Sequence, residues 1–219
     1  MINKRLDKKM VVRIFMALFG VSLCGFSVGL FKMSMFGTDP FQCFVGGISN
    51  ILPAISFGTL YTVLNLLMLV CIFLLDRHFI GIATFFNILG VGYIVEFTTK
   101  WLSNYFSEVS IFVRIILLII GIVLMCFASS LYYTADLGVS TYDAISLIIT
   151  KRRKLKFRYV RITSDLICVA VGMLLHAVVG VGTVITAFFM GPLIEFFNIS
   201  FSKPLLDRIG SRNKIMNSI

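Results

Sequence analysis

Long apolar runs, most of them close to 20 residues, alternate with short polar segments along the whole chain. The runs cover six stretches, residues 11–31, 60–75, 79–97, 111–135, 162–180 and 181–201. A helix needs about 20 residues to cross the hydrocarbon core of a bilayer, and the second run reaches that length by extending back to residue 55 or 57. The pattern predicts an all-α polytopic membrane protein with six transmembrane helices. Only residues 180–183 separate the last two runs, so five helices is the alternative.

Two blocks of the sequence occur twice, about 100 residues apart. Residues 20–37 align with 121–138 at a shift of 101, with five identical positions. Residues 81–97 align with 180–196 at a shift of 99, again with five identities. Self-similarity at a fixed period indicates a repeated structural unit. We predict a single membrane domain over residues 1–219, with repeat one at about 10–104 and repeat two at about 111–203.

The composition excludes a soluble protein. Hydrophobic residues make up 58% of the 219 positions, charged residues only 14%, and the mean hydropathy is +0.98. A soluble domain of this size could not bury so much apolar surface. The first apolar run follows four basic residues but is too long for a signal peptide and has no small-x-small cleavage site. It is therefore predicted to be a retained helix.

The basic residues set the orientation of the chain, whose net charge is +10. Lys and Arg cluster before the first run, at Arg77, in residues 151–161 and after residue 202. With six helices these four segments lie on one side, whereas residues 38–58 carry no Lys or Arg and Glu108 is the charge in residues 104–110. The positive-inside rule then makes the tails 1–10 and 203–219 cytoplasmic. The segment 151–161 is predicted to anchor this topology, with anionic lipid headgroups as its partners.

Three helices per repeat is an odd number, so the second copy must insert upside down relative to the first. This predicts an inverted repeat with its axis in the membrane plane, a plan shared by many secondary transporters. In each copy a matched glycine, Gly37 or Gly138, is expected to end the first helix. A short apolar stretch follows, at residues 40–52 or 141–149. These stretches are too short to span, and we predict interfacial or re-entrant helices.

Three motifs resemble a known family. The turn GTDPFQCF at residues 37–44 and its echo GVSTYDAI at 138–145 resemble the Gly-x-x-Pro-aromatic-Asp element of YczE/YitT-type bacterial membrane proteins. The segment GVGTVITAFFMGPLIEFF at 180–197 is similar to their closing Gly-x-Gly-Thr and Gly-Pro segment. In this chain Gln42 stands at the position of the acid, and Ser140 and Thr141 stand at that of the proline. The resemblance implies an integral protein of the bacterial inner membrane and names no substrate.

Polar groups inside membrane spans are costly, so we take them as functional candidates. Four are predicted to contact a solute near the midplane: Gln42, Asn65, Asp143 and Asp165. Structural alternatives exist, because Asp165 can pair with Arg161, and Gln42 and Asp143 can act near helix starts as caps. Asp143 and Asp165 are expected to face the protein interior. Together with their uncharged repeat mates they suit a cation or a positively charged solute.

Secondary candidates are two repeat-matched pairs, Thr84 with Thr183 and Glu96 with Glu195. Their alternative roles are helix packing for the threonines and an interfacial position for the glutamates. The five cysteines are scattered and predicted to be buried hydrophobes. The sequence has no metal-ligand spacing, no nucleotide-binding fingerprint, no hydrolase motif and no nucleic-acid-binding motif. No metal, cofactor, enzyme activity or nucleic-acid partner is predicted.

Two functions fit these observations. The first is a small secondary transporter or permease of an unknown small solute. The second is a membrane-embedded accessory protein whose basic segment 151–161 docks a cytoplasmic enzyme or complex. Neutralising the polar pairs should affect the first, and changing the charges of the segment should affect the second.

Overall fold

The structure, a computed structural model, describes residues 2–105 and 110–207. This part of the chain is helical and contains no strand. Its eight α-helices are α1 Ile2–Ser34, α2 Pro40–Ile51, α3 Phe57–Leu75, α4 Ile82–Ser103, α5 Ile111–Ala135, α6 Thr141–Arg153, α7 Phe157–Leu174 and α8 Val181–Phe197. A 3-10 turn, Arg77–Phe79, precedes α4, and a π-helical segment, Asn198–Ser202, continues α8.

Five helices are long and apolar enough to cross a membrane. They are Met10–Ser34, Phe57–Leu75, Ile82–Ser103, Ile111–Ala135 and Val181–Asp207. The prediction of six spans is thus met for five helices. Helix α7 also has 18 residues, but three of them are charged, namely Arg158, Arg161 and Asp165. It is therefore more polar than a typical membrane span.

Large apolar side chains cover the outside of the bundle. Exposed examples occur on every long helix, among them Phe15, Leu74, Phe97, Ile119 and Phe189. A soluble protein rarely leaves so much apolar area uncovered. Together with the five apolar helices, this surface identifies the chain as a membrane protein whose outer face contacts lipid.

Helices α1 and α5 pack against each other at the centre of the bundle. They approach closely because each carries a glycine at the contact. A Cβ on Gly20 would lie 3.0 Å from Tyr132 Cβ, and one on Gly121 would lie 2.9 Å from the Phe31 ring. Helix α4 packs on α1, α8 packs on α5, α2 lies along α7, and α6 lies along α3.

Matched backbone features end α1 and α5. Met35 and Asp136 have φ of 59° and 50°, and Gly37 and Gly138 have φ of 94° and 104°. The predicted glycine turns are therefore present at both places. Arg13 of α1 also covers the end of α5, because its Nε donates to Ala135 O at 2.6 Å.

Parts of the predicted topology lie at or beyond the limits of the described residues. The predicted N-terminal tail is helical from Ile2 onward, since α1 begins there. Helix continues to Asp207 at the other end. Glu108 of the predicted outer loop and residues 208–219 of the predicted C-terminal tail lie outside the described residues.

Candidate functional site

The short helix α6 lies beside the second half of α3. At its start, Thr141 Oγ1 donates to Oδ1 of Asn65, which is the ninth of the 19 residues of α3. At its end, Lys151 Nζ donates to Asp76 Oδ2 at 2.9 Å, and this hydrogen bond lowers the pKa of the Asp76 carboxyl. Helix α6 thus extends from the middle of α3 to its C-terminal end.

The other short helix, α2, lies beside the second half of α7. Its end is tied to the end of α7, because Asn50 Nδ2 donates to His176 O at 2.9 Å. Further toward its start, Gly47 and Cys43 lie against Gly172, where a Cβ on Gly172 would come 2.6 Å from Cys43 Sγ. Helix α2 therefore lies beside the second half of α7 in the same way as α6 lies beside the second half of α3.

The N-terminal ends of α2 and α6 meet inside the protein. The ring of Phe41, in the first turn of α2, stacks on that of Tyr142, in the first turn of α6, with centroids 5.1 Å apart. The ring of Tyr61 on α3 meets Phe41 edge-on at 5.8 Å. Because both helices start here, the positive ends of both helix dipoles converge on one region.

Side-chain caps fix both helix starts. Asp39 Oδ1 accepts a hydrogen bond from Gln42 N at 3.2 Å, and Ser140 Oγ accepts one from Asp143 N at 3.1 Å. Asp and Ser are favoured caps because they satisfy N–H groups that have no partner within the helix. Gln42 and Asp143 donate through their backbone to these caps, so their side chains are free for other contacts.

Beside these helix starts lies a group that we call the central cluster, formed by Asp143, Arg161, Asp165, Tyr133 and Tyr142. Arg161 forms an ion pair with Asp143 through Nη1 and a longer one with Asp165 Oδ1, at 3.4 Å from its Nε. Tyr133 donates to Asp143 Oδ2 and Tyr142 to Asp165 Oδ1, both at 2.7 Å. The guanidinium of Arg161 also lies 4.6 Å from the centre of the Tyr142 ring.

Both aspartates of the cluster face the protein interior, as predicted. Asp143 is 6% exposed and Asp165 is 3% exposed. The pairing of Asp165 with Arg161, considered from the sequence as a structural alternative, is present as well. Buried carboxylates need such partners, because an uncompensated charge inside a protein is costly.

A third carboxylate lies near the cluster without a partner for one of its atoms. Asp39 is within electrostatic reach of both Arg161 and Asp165, and its Oδ2 is buried without a hydrogen-bond partner. Arg161 thus pairs with two carboxylates, and a third lies within its electrostatic reach. Asp39 was not among the residues predicted from the sequence, although the dipeptide Asp-Pro before an apolar run is a recognisable helix start.

The other candidates have different surroundings. Asn65 is 1% exposed and donates from Nδ2 to Tyr61 O at 2.8 Å, while Tyr61 Oη donates to Asn87 Oδ1 at 3.0 Å. Gln42 is 5% exposed, and its Oε1 is buried without a partner. The four primary candidates are thus buried.

The secondary threonines lie at two reciprocal contacts between turns and helix starts. At one, Ala83 N donates to Leu137 O at 3.0 Å and Thr84 Oγ1 to Val139 O at 2.7 Å. At the other, Gly182 N donates to Phe36 O at 2.8 Å. Thr183 is 1% exposed beside Gly37, and its Oγ1 has no hydrogen-bond partner. Thr84 therefore bonds its helix start to the turn after α5, whereas Thr183 lies against the turn after α1 without a hydrogen bond from its Oγ1.

The secondary glutamates do not belong to the site. Glu96 accepts from Lys100 Nζ at 2.8 Å and from Gly58 N at 3.4 Å, near the end of α4. Glu195 is exposed on α8. The structure therefore places the two repeat-matched carboxylates away from the central cluster. Within residues 2–105 and 110–207, no three His, Cys, Asp or Glu side chains are grouped as metal ligands would be.

A cavity of about 270 Å³ opens beside α2. We call it the outer cavity, because most of its lining belongs to residues 38–58, which the sequence predicts to lie on the outer side. Its lining combines polar and apolar side chains from the end of α1, from α2, from the start of α3 and from the α7–α8 connection. The polar ones are Lys32, Thr38, Gln42, Ser49 and Asn50. Of the four primary candidates, Gln42 lines this cavity, whereas Asn65, Asp143 and Asp165 do not. Lys32 was not predicted as a site residue, because it stands in the last turn of an apolar helix, where a basic residue is common.

Comparison with known proteins gives a family match over most of the chain. The profile of a family of unknown function, DUF6198, matches residues 11–199. An uncharacterised protein of Haemophilus influenzae is 32% identical over 82% of this chain and 80% of its own length. The uncharacterised membrane protein YczE of Bacillus subtilis is 26% identical over 81% and 78%. The uncharacterised protein YyaS of the same organism is 23% identical over 81% and 88%. No solved structure matches the chain. The resemblance to YczE-type proteins is thus confirmed.

Proposed function

This chain belongs to the DUF6198 family, whose function is unknown, and we propose that it is a small secondary transporter or permease of the bacterial inner membrane. One observation carries the proposal, namely that two short helices begin at the same buried place, beside charged side chains. Broken helices whose N-termini converge on a polar region are the usual way in which transporters build a binding site within the membrane.

The proposal treats α7 as a sixth span. Its 18 residues would be about 27 Å long, close to the thickness of a hydrocarbon core. Helix α7 starts shortly after the basic end of α6. The chain just after its far end accepts a hydrogen bond from Asn50, which lies at the end of α2 remote from the central cluster. Two of its three charges, Arg161 and Asp165, are paired inside the bundle. A helix with its charges satisfied in this way can lie in a membrane.

The arrangement of contacts supports two halves of opposite orientation. Helix α4 starts on the turn after α5, and α8 starts on the turn after α1. Likewise α6 packs along α3, and α2 packs along α7. Each of these pairs becomes the other when α1 to α4 are exchanged with α5 to α8. Exchange of conformation between two such halves would open one site to each side of the membrane in turn.

In this arrangement the short helices are re-entrant. Helix α6 would extend from the middle of the bilayer to the cytoplasmic surface, and α2 from the middle to the outer surface. Their buried N-terminal ends satisfy their backbone groups with the caps Asp39 and Ser140, as irregular backbone at membrane depth requires. The outer cavity reaches Gln42, the residue next to Phe41 of the stacked pair.

Cysteine labelling tests the topology, with both termini in the cytoplasm. We expect a membrane-impermeant thiol reagent added to intact cells to label Ser49→Cys, which lines the outer cavity. We expect Lys154→Cys, exposed after α6, to react only after permeabilisation. The five native cysteines are replaced beforehand, and Ser202 is avoided because it is buried against Ser130. Equal labelling of both positions in intact cells would refute the six-span arrangement.

Substitution of Asp143 separates transport from docking. In Asp143→Asn a carboxylate that receives hydrogen bonds from Tyr133 and Arg161 is replaced by an amide with a single acceptor oxygen, so we expect transport to fall by about tenfold or more. The matched control is Arg153→Gln/Lys154→Gln/Lys156→Gln, which neutralises three exposed basic residues outside the cluster. A docking protein would lose function in the control and keep it in Asp143→Asn.

The assay compares metabolites inside cells and in the medium by mass spectrometry, for deletion cells and for cells that overproduce each variant. A transporter should shift the ratio for at least one solute in opposite directions on deletion and overproduction. Asp143→Asn should abolish this shift at an unchanged protein level in the membrane. An unchanged ratio for every solute would exclude the proposed function.

A further inference from the structure

We propose that the outer cavity binds a small carboxylate that also carries a hydrogen-bond donor, with Lys32 as the counter-ion and Gln42 as the acceptor. This inference rests on the proposed function, because it names the class of solute that would enter from outside. It replaces the positively charged solute considered from the sequence, since the aspartates behind that expectation do not line this cavity.

Lys32 is the charged residue among those that line the cavity. Its ammonium lies 3.0 Å from the centre of the Phe57 ring, in a cation–π contact that holds it at the cavity wall. In the described part of the chain no carboxylate lies within 4.0 Å of its nitrogen. Glu96 lies within its electrostatic reach, but the Glu96 carboxylate is already bound by Lys100. A cationic group inside a largely apolar membrane protein needs a negative partner, and a carboxylate in the cavity would supply a direct one.

Gln42 provides the second, independent observation. The side chain is 5% exposed and lines the cavity, and its Oε1 has no hydrogen-bond partner. Buried polar atoms almost always have partners, and an unpaired one requires an explanation. In this structure the oxygen itself is covered, so the Gln42 side chain would turn toward the bound molecule to accept a hydrogen bond from its hydroxyl or amino group. A solute with both groups would thus supply the negative charge for Lys32 and the hydrogen-bond donor for Gln42.

The remaining lining limits the size and character of the solute. Phe31, Met35, Phe57, Ala177 and Val178 provide an apolar wall. The volume of about 270 Å³ equals about nine water-sized groups at roughly 30 Å³ each. This space suits an amino acid or a hydroxy acid with a short apolar side chain.

Four probes with the same branched apolar side chain test the two recognition elements separately. L-leucine and 2-hydroxy-4-methylpentanoate carry a carboxylate and a donor, 4-methylpentanoate lacks the donor, and isoamylamine lacks the carboxylate. Each is added to the purified full-length protein in lipid nanodiscs, and thermal unfolding is recorded. Ligands that bind the folded state raise the unfolding temperature. We expect the first two to raise it most, 4-methylpentanoate to raise it less, and isoamylamine to leave it unchanged.

Variants assign the effect to the two side chains. Lys32→Met should weaken binding of the two donor-bearing acids by about tenfold or more, the loss expected for a charge-assisted hydrogen bond, and Lys32→Arg should retain it. Gln42→Met should remove the preference for leucine over 4-methylpentanoate. Lys154→Met, which changes an exposed lysine after α6, should bind like the wild type. Protection of Ser49→Cys from alkylation by the same probes is a second readout.

The outcomes distinguish this inference from the proposed function. If neither acid with a donor stabilises or protects the protein, or if Lys32→Met binds them as the wild type does, the inference is wrong. A transporter role would stand in that case if cells still shift a solute in an Asp143-dependent way. If the acids bind and depend on Lys32 but do not enter proteoliposomes, the site stands and the transporter role fails.

Discussion

Replacing Gly138 by alanine is expected to destabilise the protein by about 3 kcal/mol. Of this, roughly 1–2 kcal/mol comes from placing a side chain at a left-handed backbone position, since φ is 104°. The rest comes from the clash, because a Cβ would lie 2.6 Å from both Gly81 N and Thr84 Oγ1. Backbone atoms of a helix start cannot move aside without loss of the contact to the turn. Thermal unfolding in detergent, followed by size-exclusion chromatography, measures the effect.

Gly37→Ala should behave in the same way, because a Cβ there would lie 2.3 Å from Thr183 Oγ1 and 2.7 Å from Gly180 N. Gly191→Ala is the matched control, since no atom lies within 4 Å of its added Cβ. It replaces a helical glycine and should stabilise by about 0.5–1 kcal/mol. If all three variants unfolded at the wild-type temperature, the two turn contacts would not be important for stability.

Arg161→Met is the second substitution for which we expect a large effect, a loss of about 3 kcal/mol. This is the lower end of the range for breaking a buried ion pair, because the arginine side chain is 30% exposed. The substitution leaves Asp143 and Asp165 buried with one tyrosine hydroxyl each. The yield of monodisperse protein and its unfolding temperature measure the loss.

Two controls separate charge from packing. Arg161→Met/Asp143→Asn/Asp165→Asn removes all three charges together and should recover most of the lost stability without recovering transport, because no buried charge is left unpaired. Arg77→Met removes an exposed arginine that rests on Phe73 and should cost less than about 1 kcal/mol. A triple variant as unstable as Arg161→Met would show that the arginine acts through packing.

The apolar pattern predicted the long helices well, because a membrane span is a run of consecutive apolar residues that can be read directly in the sequence. Helix α3 begins at Phe57, one of the two starts predicted by extending its run. Helix α7 is the exception. Its charges separate it from the other spans by composition, and only the folded arrangement brings Asp143 of another helix to Arg161.

The site was less predictable, because repeat-matched residues do not have matched neighbours. Glu96 is bound by Lys100 one turn later, whereas Ile199 stands one turn after Glu195, which has no such partner in its own helix. The stack of Phe41 on Tyr142 does join two positions matched at the shift of 101, but a sequence match does not show that the two rings touch. Such contacts follow from how the helices pack, and the periodicity of the sequence gives no signal for them.

The reciprocal turn contacts also have a consequence for the order in which the protein is made. The carbonyl of Phe36 is bonded by Gly182 N, and Asp39 lies near Arg161. At about 5–20 residues per second, a ribosome needs roughly 7–29 s to pass from residue 36 to residue 182. Until residue 161 is made, the buried start of α2 and its acid have neither the helix nor the guanidinium that later surround them, and they lack the helix until residue 182. The first turn of the chain is therefore among the last to be completed, and a nascent protein that stops before residue 180 should leave it open to the membrane insertion and quality-control machinery.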